Sequence, residues 1–333
     1  MTREVVSGVT ADAMAGVATV GMEATGLATG LATPAHIQYL LHLADNALLL
    51  GQRNAEWCGH GPVLEEDIAM ANISVDLIGQ ARMLYQHAAA IDPQGTGVRG
   101  RTACEEIPSP ITEDTLAFFR DAPEFRNFTL LELPHSVTDA GARDYAVTIV
   151  RNFLYSALMV LRWDALKQST DAQLAAIAER SLKETRYHLR HSRDWLVRLG
   201  DGTPESHAKT QAAWDHLLPY TDEFWTKFAI EEEVAMQGIG VPSASLRHGW
   251  QALVHAAALE ATLTSPVAIR APGAPAGLPV TSPGPQVGIQ GEGPPGAQAG
   301  TLPQGKCGDH SAHLEPLLAE MQSLARQHPG ATW

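Results

Sequence analysis

Two stretches place carboxylates and histidines at helical spacing. Within GQRNAEWCGHGPVLEEDIAMANISVDLIGQAR, residues 51 to 82, Asn72, Asp76 and Gln80 stand four apart. They share one face of a helix whose bulk comes from Ile68, Ala71, Ile73, Val75, Leu77 and Ile78. Further on, Glu184 and His188 stand four apart, with His191 three beyond. A helical bundle that projects such groups inward builds a metal site, or keeps what remains of one. Asp45-Asn46 and Arg151-Asn152 are further polar pairs in apolar surroundings.

A carboxylate-bridged di-iron site sets a strict test. It needs one carboxylate from each of two helices and a Glu-x-x-His motif from each of the other two. One Glu-x-x-His occurs, Glu132 to His135, and it contains Pro134 in an irregular stretch. Three residues after Asp76 stands Gly79, and three after Glu184 stands Tyr187; neither is a ligand of this kind. Arg151 and Asn152 occupy the sector where a carboxylate is wanted. The ligand set is incomplete. No metal and no catalytic residue is therefore assigned to this chain, and Asp45, Asn72, Asp76, Asn152, Glu184 and His188 are expected to form a vestigial site or buried polar network. His60 reads as a turn residue, Cys58 as structural, and Glu231-Glu232-Glu233 as a solvated helix face. No phosphate loop, dinucleotide fingerprint or nucleophile elbow is present.

The elements that must position these groups are helices throughout. Thr33-Pro34 starts a helix running to about Trp57; Gly59, Gly61 and Pro62 make a corner, and a second helix runs from about Pro62 to Ala90. Glu65, Glu66 and Asp67 suit its first turn, and Arg53 and Glu56, three apart, share a face of the first helix. A loop over 91–112 precedes a short helix at 115–120; the third long helix spans about 138–167. Ser169-Thr170-Asp171 caps a fourth that ends near 199–202, and helices follow near 205–218, 220–238, 243–264 and 310–327. No period-two pattern persists, so the class is all-α, and two long helix pairs joined by a crossing segment predict a ferritin-like four-helix bundle with additional helices. The expected organisation is a flexible arm (1–32), the bundle (33–265), a Pro/Gly-rich loop (266–306), and a C-terminal helix and tail packing on the bundle (307–333).

Composition narrows the function. The chain has 333 residues, 45% hydrophobic and 18% charged, with a formal charge of -14 and no basic run, which argues against nucleic acid. No run of about 18 apolar residues suggests a membrane span. Three scattered cysteines, Cys58, Cys104 and Cys307, suggest reduced thiols in the cytoplasm, and no cleaved signal is expected.

Asp45-Asn46, GQRNAEWCGHGP, LEEDIAMANISVDLIGQAR, KETRYHLRHSRDWLVRLGDGT and HLEPLLAEMQSLARQHPGATW together resemble the PaaC family, the structural subunits of phenylacetyl-CoA 1,2-epoxidase. The resemblance spans about Thr33 to Trp333; the arm, the loop after Ala90 and the Pro/Gly segment exceed the family pattern. It implies a non-catalytic structural partner of a related di-iron catalytic subunit, alongside a further small subunit. A reductase carrying FAD and an iron–sulfur cluster would supply electrons from NADPH. The complex would epoxidise phenylacetyl-CoA with molecular oxygen. An independent di-iron oxygenase and a ferritin-like binding or storage module are the alternatives. In the absence of metal, inward Asp76 and Glu184 would need compensation, expected from Arg53, Arg82, Lys183 or Arg186.

Overall fold

Two helices with apolar residues on every side occupy the centre. α1, Pro34–Ala55, opens with Thr33 accepting the His36 N–H at 3.2 Å and with Pro34 pre-set for the first turn. α4, Tyr145–Leu166, opens with Asp144 accepting the Ala146 N–H at 2.9 Å. Both are buried along nearly their whole length, as a helix apolar all round must be. α2, Leu64–Ile91, lies antiparallel on α1, and α5, Ala172–Gly200, lies antiparallel on α4; α2 and α5 also meet. The computed structural model describes residues 32–98, 110–138, 141–265, 302–329 and 331.

The corner between α1 and α2 is made by glycine. Gly59 takes φ +78°, and a Cβ on Gly61 would lie 2.7 Å from the Asp67 nitrogen. That close approach lets the Asp67 carboxylate accept the Gly59 N–H at 2.8 Å, tying the corner to the first turn of α2. The crossing segment carries α3, Glu113–Phe118, which starts at a Thr112–Thr115 capping box, and short 3-10 turns at Ala122–Glu124 and Thr129–Leu131. α6 (Pro204–Leu217) and α8 (Ser243–Glu260) pack on α4, α7 (Ala229–Met236) packs on α1, and α9 (Leu314–Gln327) packs on α3. Trp163, Trp214 and Trp250 are fully buried there, and the Trp250 indole N–H donates to the Leu154 carbonyl at 3.0 Å. The described residues form one compact unit. No strand occurs among the described residues, and no helix among them is long and apolar enough to cross a membrane.

The helix starts predicted at Thr33 and Asp171 agree with the structure; the third long helix starts later, at Tyr145. The described residues just before it, 135–138 and 141–144, stay irregular, and the Asp144 N–H reaches back to the His135 carbonyl at 2.6 Å. The predicted arm lies outside the described residues except for Ala32, and so does the Pro/Gly segment except for 302–306. Of those last residues, Leu302 is exposed, while Gly305 and Lys306 are buried. Lys306 is buried and donates to the Thr226 carbonyl at 2.8 Å, and its backbone N–H donates to Glu223 at 2.9 Å.

The crossing segment is fastened by a buried charge pair. Asp45 of α1 accepts from both terminal nitrogens of Arg120, from the Tyr85 hydroxyl and, at 2.8 Å, from the Arg126 N–H. Arg120 also lies over the Phe125 ring, 4.3 Å from its centroid. Removing one partner strands the other in the interior. Asp45→Ala should therefore cost about 3–5 kcal/mol in denaturant unfolding, and adding Arg120→Met should recover part of it. A loss under about 1 kcal/mol, the size of a surface pair, would show that the pair is not the fastening.

Candidate functional site

The six positions expected in one site fall into separate contacts. Asn54 and Asn152, on α1 and α4, exchange two amide hydrogen bonds at 2.8 and 2.9 Å, and Asn152 also donates to the Thr148 carbonyl. The pair is buried, neutral and mutually satisfied, so nothing there calls for a cation. Asp45 belongs to the Arg120 fastening. Asn72 is exposed on α2 and joins no network, which corrects its expected place inside.

The other three lie on the seam between α2 and α5. Going along it, Glu66 pairs with His191 at 2.9 Å, Asp76 with His188 at 3.0 Å, and Gln80 donates to Glu184 at 2.9 Å. Tyr145 also donates to Glu66, at 2.6 Å. Asp76 and Glu184 are part-exposed rather than sealed inside, so they need no inward cation. The expected ion-pair network is accordingly replaced. Arg82, Lys183 and Arg186 are exposed and pair with Glu113, Glu179 and Asp164, while Arg53 turns to Glu56 at 2.7 Å and the Glu132 carbonyl. Among the described residues no three metal-type donors converge in this cross-section. The donor chemistry does not fit a carboxylate-bridged iron pair.

The fully buried arginines among the described residues are others: Arg120, Arg151 and Arg162. Arg162 pairs with Glu231 at 3.2 Å, so Glu231 is interior and only Glu232 and Glu233 are the solvated face expected for all three. Glu132 and His135 likewise serve as separate anchors. Glu132 accepts from Asn127 at 2.9 Å, from the Ser311 N–H at 2.9 Å and from its hydroxyl at 2.7 Å, holding the C-terminal segment. His135 donates from Nε2 to the Arg53 carbonyl at 2.7 Å, and its Nδ1 accepts from Arg151 at 2.8 Å. His42 is arranged alike: its Nδ1 donates to the Arg126 carbonyl at 2.6 Å, and Nε2 accepts from Arg162 at 3.1 Å. Burial first, and then the neighbouring arginine, hold both imidazoles well below the ordinary histidine range. Cys58 and His60 are exposed at the corner between α1 and α2.

One constellation has no local signature in the sequence. His36 in the first turn of α1, His87 near the end of α2 and Asp171 at the start of α5 bring three ligand-type atoms within 4.8 Å of one another. Asp171 does cap α5 as expected, its Oδ1 accepting the Gln173 and Leu174 N–H groups at 3.0 and 3.1 Å. Its other oxygen faces both imidazole Nε2 atoms, at 2.8 Å from His36 and 2.6 Å from His87. Fifty-one and eighty-four residues separate the three in sequence, so no short spacing announces them.

Four long helices in two antiparallel pairs, joined by a crossing segment, define a ferritin-like all-α protein. Residues 14–274 match the family model described as phenylacetic acid catabolic protein, and the chain belongs to that family. Among its curated relatives is the subunit lettered C of the 1,2-phenylacetyl-CoA epoxidase of Escherichia coli (strain K12). The two are 38% identical over 295 residues, which cover 89% of this chain and 98% of the relative.

The two sealed imidazoles make stability depend on pH. Their folded pKa values lie below the unfolded 6.5, so their contribution is complete above pH 6.5 and is lost as pH falls toward the folded values. Each should remove about 1.4 kcal/mol per pH unit across that window. Unfolding free energies at pH 7.5 and 5.5 should therefore differ less in a His42→Gln, His135→Gln variant than in the parent. An unchanged difference would mean that neither histidine is sealed in its neutral form.

Proposed function

We propose that this chain is the structural, non-catalytic subunit of a cytoplasmic phenylacetyl-CoA 1,2-epoxidase, docked on a di-iron catalytic subunit that performs the chemistry. A further small subunit and an NADPH-oxidising reductase with FAD and an iron–sulfur cluster complete the assembly. The overall reaction places one atom of molecular oxygen across a ring bond of phenylacetyl-CoA. The other atom leaves as water, with two electrons from NADPH. No step of it is assigned to residues of this chain.

One observation carries the reading. α2 has two apolar stripes. Met70, Ile73, Leu77, Ala81 and Leu84 face inward and are buried. Leu64, Ile68, Ala71, Val75 and Ile78 follow at alternating steps of four and three along the outer face, with Leu64, Ile68 and Val75 71%, 53% and 68% exposed. A four-three repeat is the spacing by which one helix seats against another. An exposed apolar row of this length is uncommon on a chain that works alone. We assign this row to a helix of the catalytic subunit, a reading supported by the relative's being named as one lettered subunit of an epoxidase.

The test is association. The parent chain co-expressed with the catalytic subunit should co-elute with it. Ile68→Asp with Val75→Asp should abolish co-elution while shifting the chain's own stability by no more than about 0.5 kcal/mol per site, because the positions face solvent. Retained co-elution would place the interface elsewhere. Turnover of phenylacetyl-CoA by this chain with the reductase alone would overturn the subunit reading itself.

A further inference from the structure

We infer that His36, His87 and Asp171 form a binding site for one divalent d-block cation of the zinc type, clamping α1, α2 and α5 together at one end of the bundle. The site is separate from the α2–α5 seam contacts around Asp76 and Glu184, and the inference does not depend on the proposed function.

Four features point to a cation. Both imidazoles direct Nε2 at the same oxygen, Asp171 Oδ2, so the donor atoms of three elements face a common point. The two rings meet edge-on at 72° with centroids 6.1 Å apart, which splays them about that point instead of stacking them. The carboxylate is held from behind, since Oδ1 is occupied by the Gln173 and Leu174 N–H groups. Such an outer partner orients a ligand and keeps its free oxygen aimed. Finally, the three side chains are only 9–11% exposed, shielded enough to favour an ion yet open enough for one to enter.

The geometry needs little change. Zinc bonds nitrogen and oxygen at about 2.0–2.2 Å, which puts tetrahedral donors about 3.3 Å apart. The observed 2.8 and 2.6 Å must therefore open by well under about 1 Å, within side-chain rotation. Two imidazoles and one carboxylate suit zinc, cobalt or nickel better than calcium or magnesium, which prefer all-oxygen sets. Three protein ligands leave a fourth position for water. The frame beneath is firm: the Thr170 N–H donates to the Gly238 carbonyl at 2.9 Å, and the Ser169 hydroxyl to the Ile239 carbonyl at 2.7 Å, pinning the corner that carries Asp171.

Chelator-treated full-length chain, titrated with zinc chloride by calorimetry, should bind one zinc per chain. His36→Asn with His87→Asn should weaken that binding by more than the roughly 10- to 100-fold that loss of an outer partner costs. Asp171→Asn, which keeps an oxygen for capping α5, should weaken it as well and guards against misfolding of the double variant. Zinc should raise the parent's melting temperature and leave the double variant's unchanged. With cobalt, the parent should show the visible bands of a four-coordinate ion, and the variants should not. Zinc binding that is absent from the parent, or equal in parent and variants, would overturn the inference.

Discussion

The fold depends on covering α1 and α4, two stretches of sequence that carry apolar side chains on every side. A helix of this kind has no solvent face, so each must be wrapped on every side. α2 and α5 cover one flank each, α6 and α8 close over α4, and α7 closes over α1. The crossing segment and α9 finish the enclosure, fastened by Asp45–Arg120 and by Glu132 with Ser311. Many of the polar groups caught inside pair with one another in small sets: Asn54 with Asn152, His135 with Arg151, Arg162 with Glu231 and Ser243.

Those sets bear on what this member of the phenylacetic acid catabolic family contributes. An iron pair in a bundle of this class draws carboxylates from all four long helices. Here α1 and α4 offer a neutral amide pair, and α2 and α5 offer carboxylates already joined to a histidine or a glutamine across their seam. The interior donor groups are spent on one another. Meanwhile α2 turns a second apolar row outward. Both features support the structural role proposed above.

Much of this was legible in the residues, for identifiable reasons. Capping side chains act within four positions of themselves, so Thr33, Thr112 and Asp171 mark helix starts without any tertiary knowledge. The all-α class followed from the same local periodicity. Which face of a helix is covered, by contrast, is set by neighbours far away in sequence. Ile68 and Val75 therefore counted toward the apolar bulk of α2, although they face solvent while α1 and α5 lie on its other sides. Asn72 and Glu231 were misplaced in opposite directions for that reason, one exposed and one buried against Arg162. His36, His87 and Asp171 are invisible in sequence because only the packing of three helix ends brings them together.

The most direct measurement is the iron content of this chain produced alone with iron in excess, alongside the His36→Asn, His87→Asn form. With no iron pair inside the bundle, any iron retained by the parent should be at most one ion and should vanish in the double variant. About two irons per chain persisting in that variant, the stoichiometry of a carboxylate-bridged pair, would contradict a metal-free bundle interior.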